Sequence, residues 1–191
     1  MPRDPGLPSD ATRRAPAGPV VLVGLSGAGK TLVGRLLAER LQRPFIDLDS
    51  EVERLEGLSV PEIFAARGED GFRELEKSAT VGLDAAAEAV VSTGGGWMAR
   101  PELRDAWPGA VRVWLGVDPA TAAARLAQEP RTRPLLAGPD PEASLRELLA
   151  ERLPAYRLAE VHVRTDEKAP SDVVDEICRA LAGGCRAPGT G

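Results

Sequence analysis

The residues from Gly24 to Thr31, GLSGAGKT, follow the spacing G-x-x-x-x-G-K-[ST]. Glycines let successive backbone N–H groups curl around an anion, and the positive end of the following helix adds its dipole. The N–H groups of Gly27, Ala28, Gly29, Lys30, Thr31 and Leu32 are the expected phosphate cradle. The Lys30 ammonium would reach the β- and γ-phosphates of a nucleotide, and the Thr31 hydroxyl would ligate Mg²⁺. The plainer alternative is a glycine-rich turn before a helix. The apolar run PVVLV before the motif and the helical spacing after it favour the nucleotide.

A nucleotide site needs an acceptor or a use for hydrolysis. FIDLDS places Asp47 and Asp49 at the end of a second expected strand, two residues apart and so on one side of it. Two carboxylates there suit two tasks, holding Mg²⁺ through water and taking a proton from an attacking hydroxyl. Asp49 as an ordinary helix cap stays open as an alternative. The single histidine, His162, falls in an alternating strand pattern and reads as structural, which leaves base chemistry to carboxylates. In GFRELEKS, Arg73 and Glu76 form either a surface pair at i,i+3 or an oriented guanidinium fork that grips a carboxylate. VSTGGGWMAR ends an apolar strand on three glycines, Gly94–Gly96. Bare backbone there either makes a simple turn or lets a small polar ligand approach free N–H groups.

These segments need a scaffold that brings them to one edge. Strand-like runs (PVVLV, PFIDLD, AVVST, AVRVWLG, VHVRT) alternate with helical ones along the 191 residues. That alternation predicts one α/β domain with a parallel sheet covered on both faces, and ligands beyond the carboxyl ends of its strands. Leu32, Leu36, Leu37 and Leu41 are expected on the buried face of the first helix. GLSV starts a short helix at Ser59, and a longer one follows from Gly68. A further helix is expected to bend or end near Pro154. Residues 1–18 read as a disordered tail, 19–182 as the folded domain and 183–191 as a flexible tail.

Composition narrows the classes. A net charge of −5 argues against binding to nucleic acid or an anionic membrane surface, and 4% aromatic content against a base-stacking platform. Cys178 reads as a small buried helix residue; it and Cys185 do not form a C-x-x-C pair. No apolar run approaches a membrane span, and the expected location is the cytoplasm.

In this order the motifs resemble the shikimate kinase family, from about Pro19 to Leu181. After the P-loop and D-x-D come GLSVPEIF (Gly57–Phe64), GEDGFRELE (Gly68–Glu76), the three glycines, RPLL from Arg133 and RLPAY from Arg152. The resemblance implies transfer of the γ-phosphoryl group of ATP to the 3-hydroxyl of shikimate. It implies a three-layer P-loop kinase fold of nucleoside-monophosphate-kinase type, a five-stranded parallel sheet flanked by helices. A lid at about 128–141 and a substrate-binding subdomain at about 50–79 come with it. Asp49, Arg73, Gly94, Gly95, Gly96 and Arg152 match shikimate contacts. Lys30 and Arg133 would stabilise charge on the transferred phosphoryl group, with Asp49 at the acceptor hydroxyl. Thr31 would hold Mg²⁺ directly and Asp47 through water. The implied partners are ATP and shikimate alone, with a monomeric protein. An adenine-stacking arginine is common before the lid, where this chain has Arg125; the family's late asparagine is replaced by Ala169–Pro170. A gluconate kinase would share the P-loop and lid but lack the Arg73, Gly94–Gly96 and Arg152 set. A nucleotide-binding regulator would not need Asp49 and three anion-gripping elements.

Overall fold

The computed structural model describes residues 16–83, 88–128 and 140–183. Five strands form one sheet in the order β2-β3-β1-β4-β5: β1 (Val20–Val23), β2 (Phe45–Asp47), β3 (Val90–Ser92), β4 (Val111–Gly116) and β5 (Val161–Arg164). All four pairings are parallel. Central β1 is four apolar residues long and wholly buried, as a strand covered on both faces must be. The carboxyl ends of β1, β2 and β3 therefore lie side by side, with Asp47 opposite Ser92 and Leu22 opposite Ser92.

Helix α1 (Lys30–Leu41) follows the P-loop and packs on α7 (Pro170–Ala182) and β3. Its buried face is Val33, Gly34, Leu37 and Ala38, whereas Leu32 is exposed and Leu36 and Leu41 are only partly covered. The expected face is thus rotated. Gly34 sets the rotation, since a Cβ there would lie 2.5 Å from the Phe45 ring. The helix meets the sheet at its glycine, and Leu32 turns outward.

Helices α2 (Leu48–Glu56) and α3 (Val60–Gly82) pack on each other. Asp47, the last residue of β2, caps α2 by accepting the Ser50 N–H at 3.3 Å. The strand therefore ends two residues earlier than the pattern suggests. Asp47 and Asp49 do not share a strand face; Asp47 is the cap and Asp49 lies in the first turn of α2. Ser59 and Glu62 form a capping box at the start of α3, and Pro61 sits in its first turn. The expected break at Gly68 is a kink inside α3, with φ 69° and ψ −173°. Asp118 caps α5 (Pro119–Leu126), and α6 (Pro141–Tyr156) runs through Pro154 rather than stopping there. A short α4 (Pro101–Arg104) completes the set. Residues 16–18 are held to the domain, because Arg43 donates to the carbonyls of Gly18 and Pro16. Cys178 on α7 is half-buried rather than buried. Residues 1–15, Cys185 and residues 129–139, with Arg131 and Arg133, lie outside the described residues.

Candidate active site

The P-loop lies between β1 and α1, where the strand ends. Gly29 caps α1 with φ 84°, a conformation that costs glycine little. No side chain caps this helix and no acid lies in its first turn. Its N–H groups therefore face a loop built for an anion. Lys30 Nζ donates to the carbonyls of Gly24 (2.9 Å) and Leu25 (2.8 Å), which places the ammonium over the loop. Thr31 Oγ1 donates to Asp47 Oδ2 at 2.9 Å. The expected metal pair is thus assembled from the start of α1 and the end of β2. A hydroxyl and one carboxylate are hard oxygen donors, the set Mg²⁺ takes alongside phosphates and water.

Beside the P-loop opens a cavity of about 810 Å³, lined by Asp49, Glu53, Phe64, Phe72, Arg73, Gly94–Gly96 and Arg152. Three separate elements converge here: α2 brings Asp49, α3 brings Arg73, and α6 brings Arg152. The turn after β3 forms the wall. Arg73 Nη1 donates to Glu76 Oε2 (3.0 Å) and Nη2 to Glu69 Oε1 (2.9 Å). Glu76 is completely buried, so this is an orienting contact and not a solvated surface pair. Burial pushes the Glu76 carboxyl above its ordinary value, Arg73 opposes this and nearby Asp49 adds to it. Burial works against the Arg73 charge, but Glu76 and Glu69 together outweigh it and raise the guanidinium's pKa. Arg100 closes the network by donating to the Arg73 carbonyl at 2.8 Å.

The three glycines have individual reasons. A Cβ on Gly94 would lie 2.6 Å from Glu76 Oε1 and 3.2 Å from Asp49 Oδ1. One on Gly95 would lie 2.9 Å from Arg152 Nη1, and one on Gly96 2.7 Å from Arg73 Nη2. Each missing side chain admits a charged group of the protein itself, an approach that neither the simple-turn nor the ligand expectation included. Trp97, next in sequence, is buried and does not face the cavity; its indole donates to Thr80 Oγ1 at 3.1 Å.

Arg125 donates to the carbonyl of Gly27 (3.2 Å) and to Thr165 Oγ1 and O (3.1 and 2.7 Å), tying the P-loop to the end of β5. His162 is exposed on β5, edge-on to Trp114, and does not line the cavity. Two residues were given no role by sequence reasoning, although Tyr156 closes the RLPAY motif. Thr80 bonds both the Trp97 indole and the Glu76 carbonyl, and Tyr156 bonds the Gly95 carbonyl. Each lies four residues beyond a site residue on the same helix, a spacing that could have marked them.

Among known proteins, the sequence model described as Shikimate kinase matches residues 26–182. The shikimate kinase of Symbiobacterium thermophilum is 48% identical, over 85% of this chain and 95% of its own length. A solved shikimate kinase from Acinetobacter baumannii, in complex with shikimate, superposes with a TM-score of 0.83 at 36% identity, covering 92% of this chain and 98% of that one. A gluconokinase from Sinorhizobium meliloti shares the architecture more distantly, with a TM-score of 0.63 at 25% identity over 90% of this chain and 94% of its own. Identity at that level across nearly the full length of the relatives, and a family match spanning the whole sheet beyond β1, settle the assignment: this chain belongs to the shikimate kinase family.

Proposed function

We propose that the protein transfers the γ-phosphoryl group of ATP to the 3-hydroxyl of shikimate, giving shikimate 3-phosphate and ADP. The observation that carries this is the convergence of Arg73 and Arg152, from different helices, on one glycine wall beside Asp49. In a protein of net charge −5, two guanidinium groups gathered in one cavity select an anionic acceptor.

Arg73 and Arg152 bind the shikimate carboxylate, Arg73 being held by Glu76 and Glu69 so that its fork is fixed before substrate arrives. Gly94–Gly96 form the wall on which the ring rests. Asp49 accepts the proton of the 3-hydroxyl as that oxygen bonds to the γ-phosphorus. The bond from phosphorus to the β,γ-bridging oxygen breaks, and ADP leaves with its electron pair. Gly27 to Leu32 cradle the phosphates through their N–H groups, and Lys30 swings from its carbonyl partners onto the transferring group. Mg²⁺, when bound, neutralises phosphate charge. Thr31 would ligate it directly and Asp47 through water, which matches their 2.9 Å contact. Arg133 and the lid at about 128–141 belong to this reading as the group that closes over ATP and excludes water. The subdomain at about 50–79 carries Arg73, and the protein works as a cytoplasmic monomer in aromatic amino-acid biosynthesis.

Calorimetric titration tests the clamp. Arg73→Ala and Arg152→Ala should each lose about 2–5 kcal/mol of shikimate binding, with ATP affinity unchanged. Equal losses for both ligands, or none for shikimate, would overturn the assignment.

A further inference from the structure

Tyr156 is wholly buried on α6, one turn beyond Arg152, yet the chemistry above makes no use of it. Its hydroxyl donates to the Gly95 carbonyl at 2.6 Å. Arg152 lies beside this hydroxyl, and its charge works against the effect of burial on the phenol, so one phenol stands between the clamp arginine and the glycine wall. A Cβ on Gly95 would lie 2.9 Å from Arg152 Nη1 and 3.7 Å from the Tyr156 hydroxyl, which puts all three groups at one point. The ring is fixed from behind by Trp114 of β4, stacked at 5.9 Å between centroids and 21° between planes.

Pro154 lies between Arg152 and Tyr156 inside α6. A proline has no N–H, so the helix loses one ladder bond where the arginine must be held. The register of Arg152 then needs a tie from outside the helix. The turn after β3 supplies it through the phenol. We infer that Tyr156 is a positioning residue that sets the Arg152 guanidinium against Gly95 and thereby fixes the affinity for the acceptor carboxylate. This rests on the reading of Arg152 and Gly95 as part of the acceptor clamp. Burial pushes the Tyr156 hydroxyl up to about 12, opposed by Arg152, so it stays protonated and donates throughout the working range.

The test is Tyr156→Phe, which keeps the ring and its stacking and removes only the hydroxyl. KM for shikimate should rise about fivefold, as for loss of a buried hydrogen bond. The kcat, the KM for ATP and the pH profile should not move. In an Arg152→Ala background the same change should raise KM by less than about twofold, because Tyr156 acts through Arg152. If Arg152→Ala raises the shikimate KM and Tyr156→Phe does not, this inference falls and the clamp stands. If neither raises it, the clamp reading itself falls. A parallel rise in both KM values, or additivity with Arg152→Ala, would make Tyr156 a general packing residue and overturn the inference.

Discussion

Gly96→Ala adds one methyl group to the wall of the acceptor cavity. Gly96 has φ −90° and ψ −10°, a conformation that alanine adopts without strain, so the backbone should not change. The new carbon would lie 2.7 Å from Arg73 Nη2 and 2.9 Å from its Cζ and Nη1, where ordinary contact begins at 3.4 Å. The guanidinium must retreat by about 0.5–0.7 Å. It cannot do so freely, since Glu76 holds Nη1 at 3.0 Å and Glu69 holds Nη2 at 2.9 Å. A misplacement of about 1 Å in a positioning group costs on the order of 10²-fold in rate. We therefore expect kcat/KM for shikimate to fall about 10²-fold, or about 2.7 kcal/mol. Stability should fall by about 1–3 kcal/mol, the usual cost of overpacking. A coupled assay of ADP release, varying shikimate and ATP in turn, reads the effect, with Gly82→Ala as control because nothing lies within 4 Å of a Cβ there. An unchanged kcat/KM for shikimate in Gly96→Ala, or an equal rise in the KM for ATP, would refute the steric account of the glycine wall.

Lys30→Ala should cut kcat by about 10³-fold while the protein remains folded; a folded variant that keeps its activity would remove the P-loop mechanism. Asp47→Asn should raise the Mg²⁺ requirement and leave shikimate affinity intact, whereas Asp49→Asn should lose kcat with ATP and Mg²⁺ still bound. The reverse pattern, read from Mg²⁺ titrations of kcat, would exchange the two roles. Glu76→Gln tests the buried carboxyl. Burial raises its pKa above the ordinary 4.5, so its contribution favours the folded state while it is protonated and is lost as pH rises through the folded value. The thermal midpoint of the parent protein should therefore fall relative to Glu76→Gln as pH rises above about 4.5, even as the variant binds shikimate less tightly. A midpoint difference independent of pH would contradict this.

Much of the fold and the site was legible because their signals are local. GLSGAGKT fixes its own strand–loop–helix context, and alternating elements make a parallel sheet almost unavoidable. What sequence periodicity missed depends on distant contacts. Leu32 looks like a core residue until Gly34 lets α1 press on Phe45 and turns that face away. Asp47 and Asp49 look equivalent until Asp47 caps α2, which separates them into a helix cap at the metal end and a first-turn carboxylate at the acceptor end. The triple glycine announces a close approach but not what approaches. Glu76, Arg73 and Arg152 lie 18, 23 and 57 residues from the glycines they meet, and only the folded helices bring them to the wall. Thr80 and Tyr156 were hidden for the same reason, since their partners lie across the fold.

The central claim is that this cavity accepts shikimate and phosphorylates it. The most direct measurement is ADP release with ATP and Mg²⁺, supplied in turn with shikimate, with gluconate and with no acceptor. Turnover with shikimate alone, yielding shikimate 3-phosphate, is the predicted result. Turnover with gluconate, or the same rate of ADP release without any acceptor, would contradict it.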